Sequence, residues 1–235
     1  MDLRLISYNM NGFPWIHTHI KEVVQWIVST GNMVALQEIW TNHAQWTAAF
    51  AVHGWIFLRP ARENHFASLY GSGLAFAWPN GRWILHDARH YPFLDCCMFE
   101  VFVIKGWLQL ELSDIYTKKQ FRLINTHMHS DIDTIEHLTH PYVHNIRVKQ
   151  AKQLLTTTMN QIQLPTLIVG DLNSETCHFS PYRFLQRDLT PTYPELSRIL
   201  DHCASLPDHG WIMKEHRVIK KDWSDHHPVM WSLTM

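Results

Sequence analysis

Apolar residues fall into short runs separated by polar clusters, and their spacing sorts them into strands and helices. Leu3 to Tyr8 reads as a strand that ends at Asn9-Met10-Asn11-Gly12. Ile16, Ile20, Val23, Val24 and Ile27 recur at helical spacing, which predicts a helix from about His17 to Thr30, closed by Gly31-Asn32. Met33 to Leu36 reads as a buried strand that delivers Gln37-Glu38, and a short helix follows over Asn42 to Val52. Strands are then expected at Trp55 to Leu58, Gly73 to Trp78, Arg82 to Tyr91, Phe99 to Leu112 and Phe121 to Asn125. The turn Pro79-Asn80-Gly81 closes the second of these, and the polar stretch Ser113 to Gln120 joins the last two as a hairpin. Pro141 to about Ile162 is the longest helical segment. A short helix near Pro181 to Gln186 and strands near Arg198 to Ala204, Trp211 to Val218 and Val229 to Leu233 complete the chain.

One run stands out. Leu167-Ile168-Val169-Gly170-Asp171-Leu172-Asn173 reads as an apolar strand stopping at its glycine, with two polar side chains one residue apart after it. Alternate residues of an extended chain share a side, so Asp171 and Asn173 are expected to project together. Taken alone, the stretch is also compatible with an ordinary Asp/Asn turn.

About ten strands interspersed with few helices indicate an α+β or layered α/β/α domain. The chain has 235 residues, enough for a sizeable core, and shows no repeat or Gly/Ser linker, so residues 1–235 are read as a single domain. The net charge of -1 excludes a global basic field for nucleic acid but leaves room for a local patch. The 18 His are too many for any one site, so most belong to surface or core. No basic leader opens the sequence, and no apolar run approaches the roughly 18 residues of a membrane span. Cys96, Cys97, Cys177 and Cys203 form no CxxC pair, which favours free thiols. These features suit a soluble protein, cytoplasmic or exported without a visible signal peptide, and a monomer is expected.

Strand after strand ends in a polar cluster, where a rigid sheet can hold a site on its loops. The clusters are Asn9/Asn11, Glu38, His127/His129, Asp171/Asn173, Asp201/His202 and Asp225/His226/His227. In this order they resemble the endonuclease/exonuclease/phosphatase superfamily, carried by Ser7-Tyr8-Asn9-Met10-Asn11-Gly12, Leu36-Gln37-Glu38-Ile39, Asn125-Thr126-His127, Gly170-Asp171-Leu172-Asn173 and Ser224-Asp225-His226-His227-Pro228-Val229. Each motif is weak alone; five in sequence are specific. The resemblance implies a DNase I-like four-layer α/β/β/α sandwich of two mainly antiparallel sheets flanked by helices. It also implies hydrolysis of a phosphoric ester with Mg²⁺, for which Mn²⁺ or Co²⁺ can substitute.

Chemistry supports the carry-over. A phosphodiester repels hydroxide, and a hard cation held by oxygen ligands neutralises it. Glu38 resembles the family's metal-binding carboxylate, with Asn9 beside it and Asp225 on the metal side; Asn11 is expected just behind them. His226 resembles the general base, since imidazole titrates near neutrality, and Asp201 is the candidate for orienting it. Asp171 and Asn173 would orient water and phosphoryl oxygens, and His127 resembles the residue that meets the phosphate or leaving group. His129 and His227 are open between site periphery and ordinary polar positions.

Within the superfamily the pattern is most similar to the neutral sphingomyelinase branch. Gly71-Ser72-Gly73-Leu74-Ala75-Phe76, Glu38-Ile39-Trp40, Thr126-His127-Met128-His129-Ser130-Asp131 and Arg147 with Gln150-Ala151 carry that likeness. Lys105-Gly106 resembles an element whose lysine approaches the substrate phosphate, with Asp95 as its candidate partner. A phospholipid at a membrane surface is the implied substrate. The chain lacks the C-terminal membrane helices of one eukaryotic group and the long hydrophobic hairpin of secreted bacterial enzymes. Trp suits membrane interfaces, so Trp15, Trp40, Trp78, Trp107 and Trp223 are candidates for lipid contact, though most are expected in the core.

Three other readings compete. A nuclease would share the metal site, with Lys118-Lys119, Arg147/Lys149/Lys152 and Lys220-Lys221 as scattered backbone contacts. His127-Met128-His129-Ser130-Asp131 matches most of the HxHxDH zinc motif, but Ile132 stands where its last His belongs and the later clusters stay unexplained. A non-catalytic binding protein on the same fold would be expected to have lost one of Glu38, Asp171, Asn173, Asp225 or His226, and all are present.

Overall fold

The computed structural model describes residues 1–12, 19–60, 71–96, 103–130, 141–159, 164–176 and 178–235. Trp15, the expected helix start at His17, the beginning of the Phe99 strand, Cys97, Cys177, Asp131, Ile132 and the end of the longest helix lie outside them.

Among the described residues, twelve strands form two six-stranded sheets. The first contains β1 (Asp2–Asn9), β2 (Met33–Gln37), β3 (Trp55–Leu58), β4 (Ala75–Pro79), β11 (Ile212–Val218) and β12 (Val229–Thr234), in the order β11-β12-β1-β2-β4-β3. The second contains β5 (Trp83–Pro92), β6 (Gly106–Asp114), β7 (Gln120–His127), β8 (Thr166–Asp171), β9 (Arg183–Phe184) and β10 (Asp201–Ser205), in the order β5-β6-β7-β8-β10-β9. Each sheet has one parallel pair at its centre, β1/β2 and β7/β8, flanked by antiparallel neighbours.

Strand alternation builds the layers. Leu3 and Leu5 of β1 face the second sheet, where Leu108, Leu110, Leu123, Leu167 and Val169 meet them. Ile6 and Tyr8 face the other way, onto Val23, Val24 and Ile27 of α1 (Ile20–Thr30) and Trp46 and Phe50 of α2 (His43–Ala51). Ile124 and Ile168 pack on Ala151 and Leu154 of α3 (Pro141–Met159). The α/β/β/α sandwich is therefore as expected. Each fully buried Leu, Ile or Val in it contributes about 1.5–3 kcal/mol.

Two local expectations are corrected. The segment 181–186 is not helical: β9 pairs with Ala204 and Ser205. Phe184 packs toward α3 and Leu185 into the inter-sheet core, an alternation with the period of a strand. The Gly170 strand does not stop at its glycine but continues to Asp171 in register with His127. Among the described residues, no helix is long and apolar enough to cross a membrane.

Candidate active site

The two central parallel pairs bring their carboxyl ends to one end of the sandwich, and there the polar clusters meet. Asn9 and Glu38 come from the ends of β1 and β2, His127 and Asp171 from those of β7 and β8. Asp201 opens β10 opposite Asp171, because the antiparallel register pairs them. The loop before β12 adds Asp225 and His226.

Asn9 joins the two sheets. Its Nδ2 donates to Glu38 Oε1 at 3.1 Å and to Asp171 Oδ2 at 2.8 Å. Its Oδ1 accepts from Asn11 N at 3.0 Å, which fixes the amide orientation. Glu38 has a left-handed backbone, φ 61°, and its Oε2 accepts from Gly12 N at 3.0 Å. Asp171 and Asn173 come together, but not by strand alternation. Asn173 has φ 48° and its backbone N donates to Asp171 Oδ1 at 2.8 Å, so a turn sets them side by side.

His226 Nδ1 lies 2.8 Å from Asp201 Oδ2, and Nε2 lies 3.7 Å from Asp171 Oδ2. Burial opposes charge on His226, yet Asp201, Asp171 and Asp225 outweigh it and hold the imidazole pKa well up. His127 behaves oppositely. Burial, then Lys105, His226 and His129, hold it well below the usual value, so it is neutral. Lys105 Nζ therefore donates to His127 Nε2 at 3.1 Å, and also to Met128 O at 2.9 Å. The proton of His127 then sits on Nδ1, which is buried and has no hydrogen-bond partner among the described residues. Burial raises Asp171, partly offset by His226, and burial also raises Asp225, with Glu38 adding to the effect.

A scan against protein-family models matches residues 6–226 to the endonuclease/exonuclease/phosphatase family. The chain belongs to this family. The match spans the site residues from Asn9 to His226 and places the chain among phosphoester hydrolases. No curated protein matches it. Solved structures of similar fold include SmcL (16% identity, 100% of this chain and 99% of that one, TM-score 0.75). Danio rerio TDP2 with a single-strand DNA product is similar at 14% identity, 100% and 99% coverage and TM-score 0.76. Staphylococcus aureus beta toxin with bound magnesium ions is similar at 16% identity, 98% and 99% coverage and TM-score 0.75. At these identities the likeness is one of fold.

Not every family-derived expectation falls at the site. Asp95, the acid expected beside Lys105, is paired with Lys149 at 3.1 Å. His227 points away, with Nδ1 3.1 Å from Lys221 O. His129 lies beside the site, its carbonyl bonded by Arg147 at 3.1 Å and its backbone N by Gln150 at 3.0 Å. Trp40, Trp78 and Trp107 are buried, whereas Trp223 is half-buried against Trp26 with Lys221 over both rings. Two residues of the site went unassigned from sequence. Ser224 Oγ donates to Asn9 O at 2.7 Å and accepts from His226 N at 3.2 Å, tying the His226 loop to β1. A serine two residues before a site histidine was the available signal. The Tyr193 ring sits 5.0 Å from the His226 ring, and nothing in its sequence neighbourhood marks it.

Proposed function

We propose that this chain is a divalent-cation-dependent phosphodiesterase of neutral sphingomyelinase type, cleaving a phospholipid headgroup with water. The observation that carries the hydrolytic reading is the Asp201–His226 pair facing Asp171, which Asn9 links to Glu38.

Glu38, Asn9 and Asp225 would hold Mg²⁺, with Mn²⁺ or Co²⁺ as substitutes. Glu38 and Asp225 offer the carboxylate oxygens that a hard cation prefers, while Asn9 turns its Nδ2 toward Glu38 and so would hold that carboxylate in place for the ion. The two carboxylates lie close enough for Glu38 to raise the Asp225 pKa, a repulsion that a cation relieves. Asp171, Asp201 and His226 also bring ligand atoms within 4.8 Å of one another. That set contains an imidazole already bonded to its carboxylate neighbour, so it suits proton transfer better than Mg²⁺. Bound at Glu38, the cation would neutralise phosphate charge and stabilise the leaving oxygen.

The chain's own residues supply the rest. Asp201 holds His226 through Nδ1, which leaves Nε2 to take a proton from the attacking water. Without a cation the raised pKa keeps His226 protonated, so the ring must release that proton before it can act as the base. Asp171 and Asn173 orient that water and a phosphoryl oxygen. His127 and Lys105 meet the phosphoryl group on the other side as the bond to the leaving oxygen breaks.

The lipid reading is supported by the contact between two of the segments that carry the branch resemblance. Ile39 N donates to Gly73 O at 2.8 Å, and a Cβ at Gly73 would lie 2.5 Å from the Trp40 ring, so only glycine lets that indole close on the strand. A nuclease reading keeps some support: Lys149 and Lys152 are exposed on α3, and TDP2, of similar fold, is complexed with a DNA product. The test is a matched assay with Mg²⁺ on sphingomyelin vesicles and on plasmid DNA, with His226→Ala as control. Phosphocholine release by the parent alone supports the proposal. DNA nicking alone replaces it with the nuclease reading, and no hydrolysis of either overturns it.

A further inference from the structure

Directly beneath the site lies a layer of buried polar side chains. Ser7, Gln37 and Asn125 are fully buried. Ser7 stands two residues before Asn9 on β1, Gln37 immediately before Glu38 at the end of β2, and Asn125 two before His127 on β7. Gln37 Nε2 donates across the sandwich to Asn125 Oδ1 at 2.7 Å and within its own sheet to Ser7 Oγ at 3.2 Å. Asn125 Nδ2 donates to Leu36 O at 2.8 Å and Ala75 O at 3.0 Å. One amide of the second sheet is therefore bonded at both ends to the first.

Cohesion does not require this layer. Burying polar groups is unfavourable unless they are bonded, and replacing both partners of the Gln37–Asn125 bond by apolar groups of like shape is often neutral or stabilising, so that the cost of such a change falls on the Leu36 and Ala75 carbonyls that lose the Asn125 amide. Apolar packing, however, is not directional, whereas the site needs Asn9 and Glu38 of one sheet in fixed register with His127 and Asp171 of the other. Hydrogen bonds to strand carbonyls supply that register two residues below the site, from Asn125 to Leu36 O.

We propose that Gln37 and Asn125 are positioning residues, an inter-sheet clamp that sets the Glu38 half of the site against the His127 half. The inference rests on the hydrolytic reading above, and its test separates the two. The parent, Gln37→Met/Asn125→Leu, Gln37→Met and the core variant Leu110→Ala would be compared by thermal midpoint, by kcat and KM on bis(p-nitrophenyl) phosphate with Mg²⁺, and by calorimetric Mn²⁺ binding without substrate. The double variant is expected to melt no lower than Leu110→Ala. Its kcat should fall by about tenfold or more at little-changed KM, because small misplacements of reacting groups are costly. Its Mn²⁺ affinity should fall by about tenfold or more, as for other groups that orient metal ligands. Leu110→Ala should keep parent kcat and Mn²⁺ affinity. Parent-like kcat and Mn²⁺ affinity in the double variant, or equal losses in Leu110→Ala, overturn the clamp. If the double variant does not fold, Gln37→Met is judged by the same readouts. If the parent hydrolyses nothing, the hydrolytic reading fails and Mn²⁺ affinity alone decides the clamp.

Discussion

His226 Nδ1 and Asp201 Oδ2 meet at 2.8 Å, and this one contact decides which ring nitrogen is left for chemistry. An imidazole with Nδ1 engaged presents Nε2, here 3.7 Å from Asp171 Oδ2. Asp201→Asn keeps the shape but removes the charge and the tautomer preference. It should lower kcat by about a thousandfold or more with KM near the parent value. His226→Ala should cost at least as much, and the double variant little more than His226→Ala, because groups that act as a unit are not additive. Steady-state kinetics on the three variants checks this. Full activity in Asp201→Asn removes it from the mechanism.

Glu38→Gln tests the cation side. The Glu38 carboxylate is bonded to Asn9 and to the Gly12 backbone, so an amide can keep only part of that arrangement. Loss of its charge should weaken Mn²⁺ binding by about tenfold to a hundredfold or more. Raising Mg²⁺ should restore part of the lost activity. Calorimetry with Mn²⁺ gives the first number directly, and unchanged affinity would place the cation elsewhere.

The architecture was legible because strand alternation and helical spacing were written in long, buried elements. Leu3, Leu5 and Ile6 already divide β1 between two cores. The clusters were legible because a parallel central pair must deliver its two ends together, as Asn9 and Glu38 show. Less legible was anything set by a turn or by tertiary approach. Asn173 reaches Asp171 through a left-handed backbone, which the strand period cannot encode. Tyr193 reaches His226 from a separate loop, and Lys149 takes Asp95 through the packing of α3 on the second sheet.

The pH dependence of stability without a cation has a definite sign. The folded pKa of His226 is raised from 6.5 to about 10: burial opposes the shift, but Asp201, Asp171 and Asp225 outweigh it. The folded state therefore holds a proton that the unfolded chain releases. This contribution is fully present below pH 6.5 and is lost as pH rises towards about 10. His127 acts on the acid side. Its folded value lies well below 6.5, mainly through burial, so the unfolded chain takes the proton first and stability falls as pH drops below 6.5. Thermal midpoints in chelator across pH should show the alkaline decline in the parent and a shallower one in His226→Gln. An equal decline in both would assign the alkaline loss to other groups.

Gly170→Ala tests how closely the site depends on its sheet. Gly170 has φ 139°, and a Cβ there would stand 2.0 Å from Thr126 O on the adjacent strand. Thr126 cannot simply retreat, because its hydroxyl is bonded to Gly106 O at 3.0 Å on β6. The β7/β8 ladder must open between the two residues that set His127 against Asp171. Overpacking of this kind costs about 1–3 kcal/mol, or roughly 2–4 °C of thermal midpoint for each kcal/mol in a chain of this size. Activity should fall further than stability does, since the displaced strand ends carry the site itself. Gly210→Ala is the comparison. It too has a positive φ, 71°, yet among the described residues its Cβ would meet only the Met235 side chain, at 3.9 Å. That variant should lose stability by about 1 kcal/mol through backbone strain and keep the parent kcat. If Gly170→Ala also kept it, the spacing of His127 and Asp171 would not be what the glycine protects.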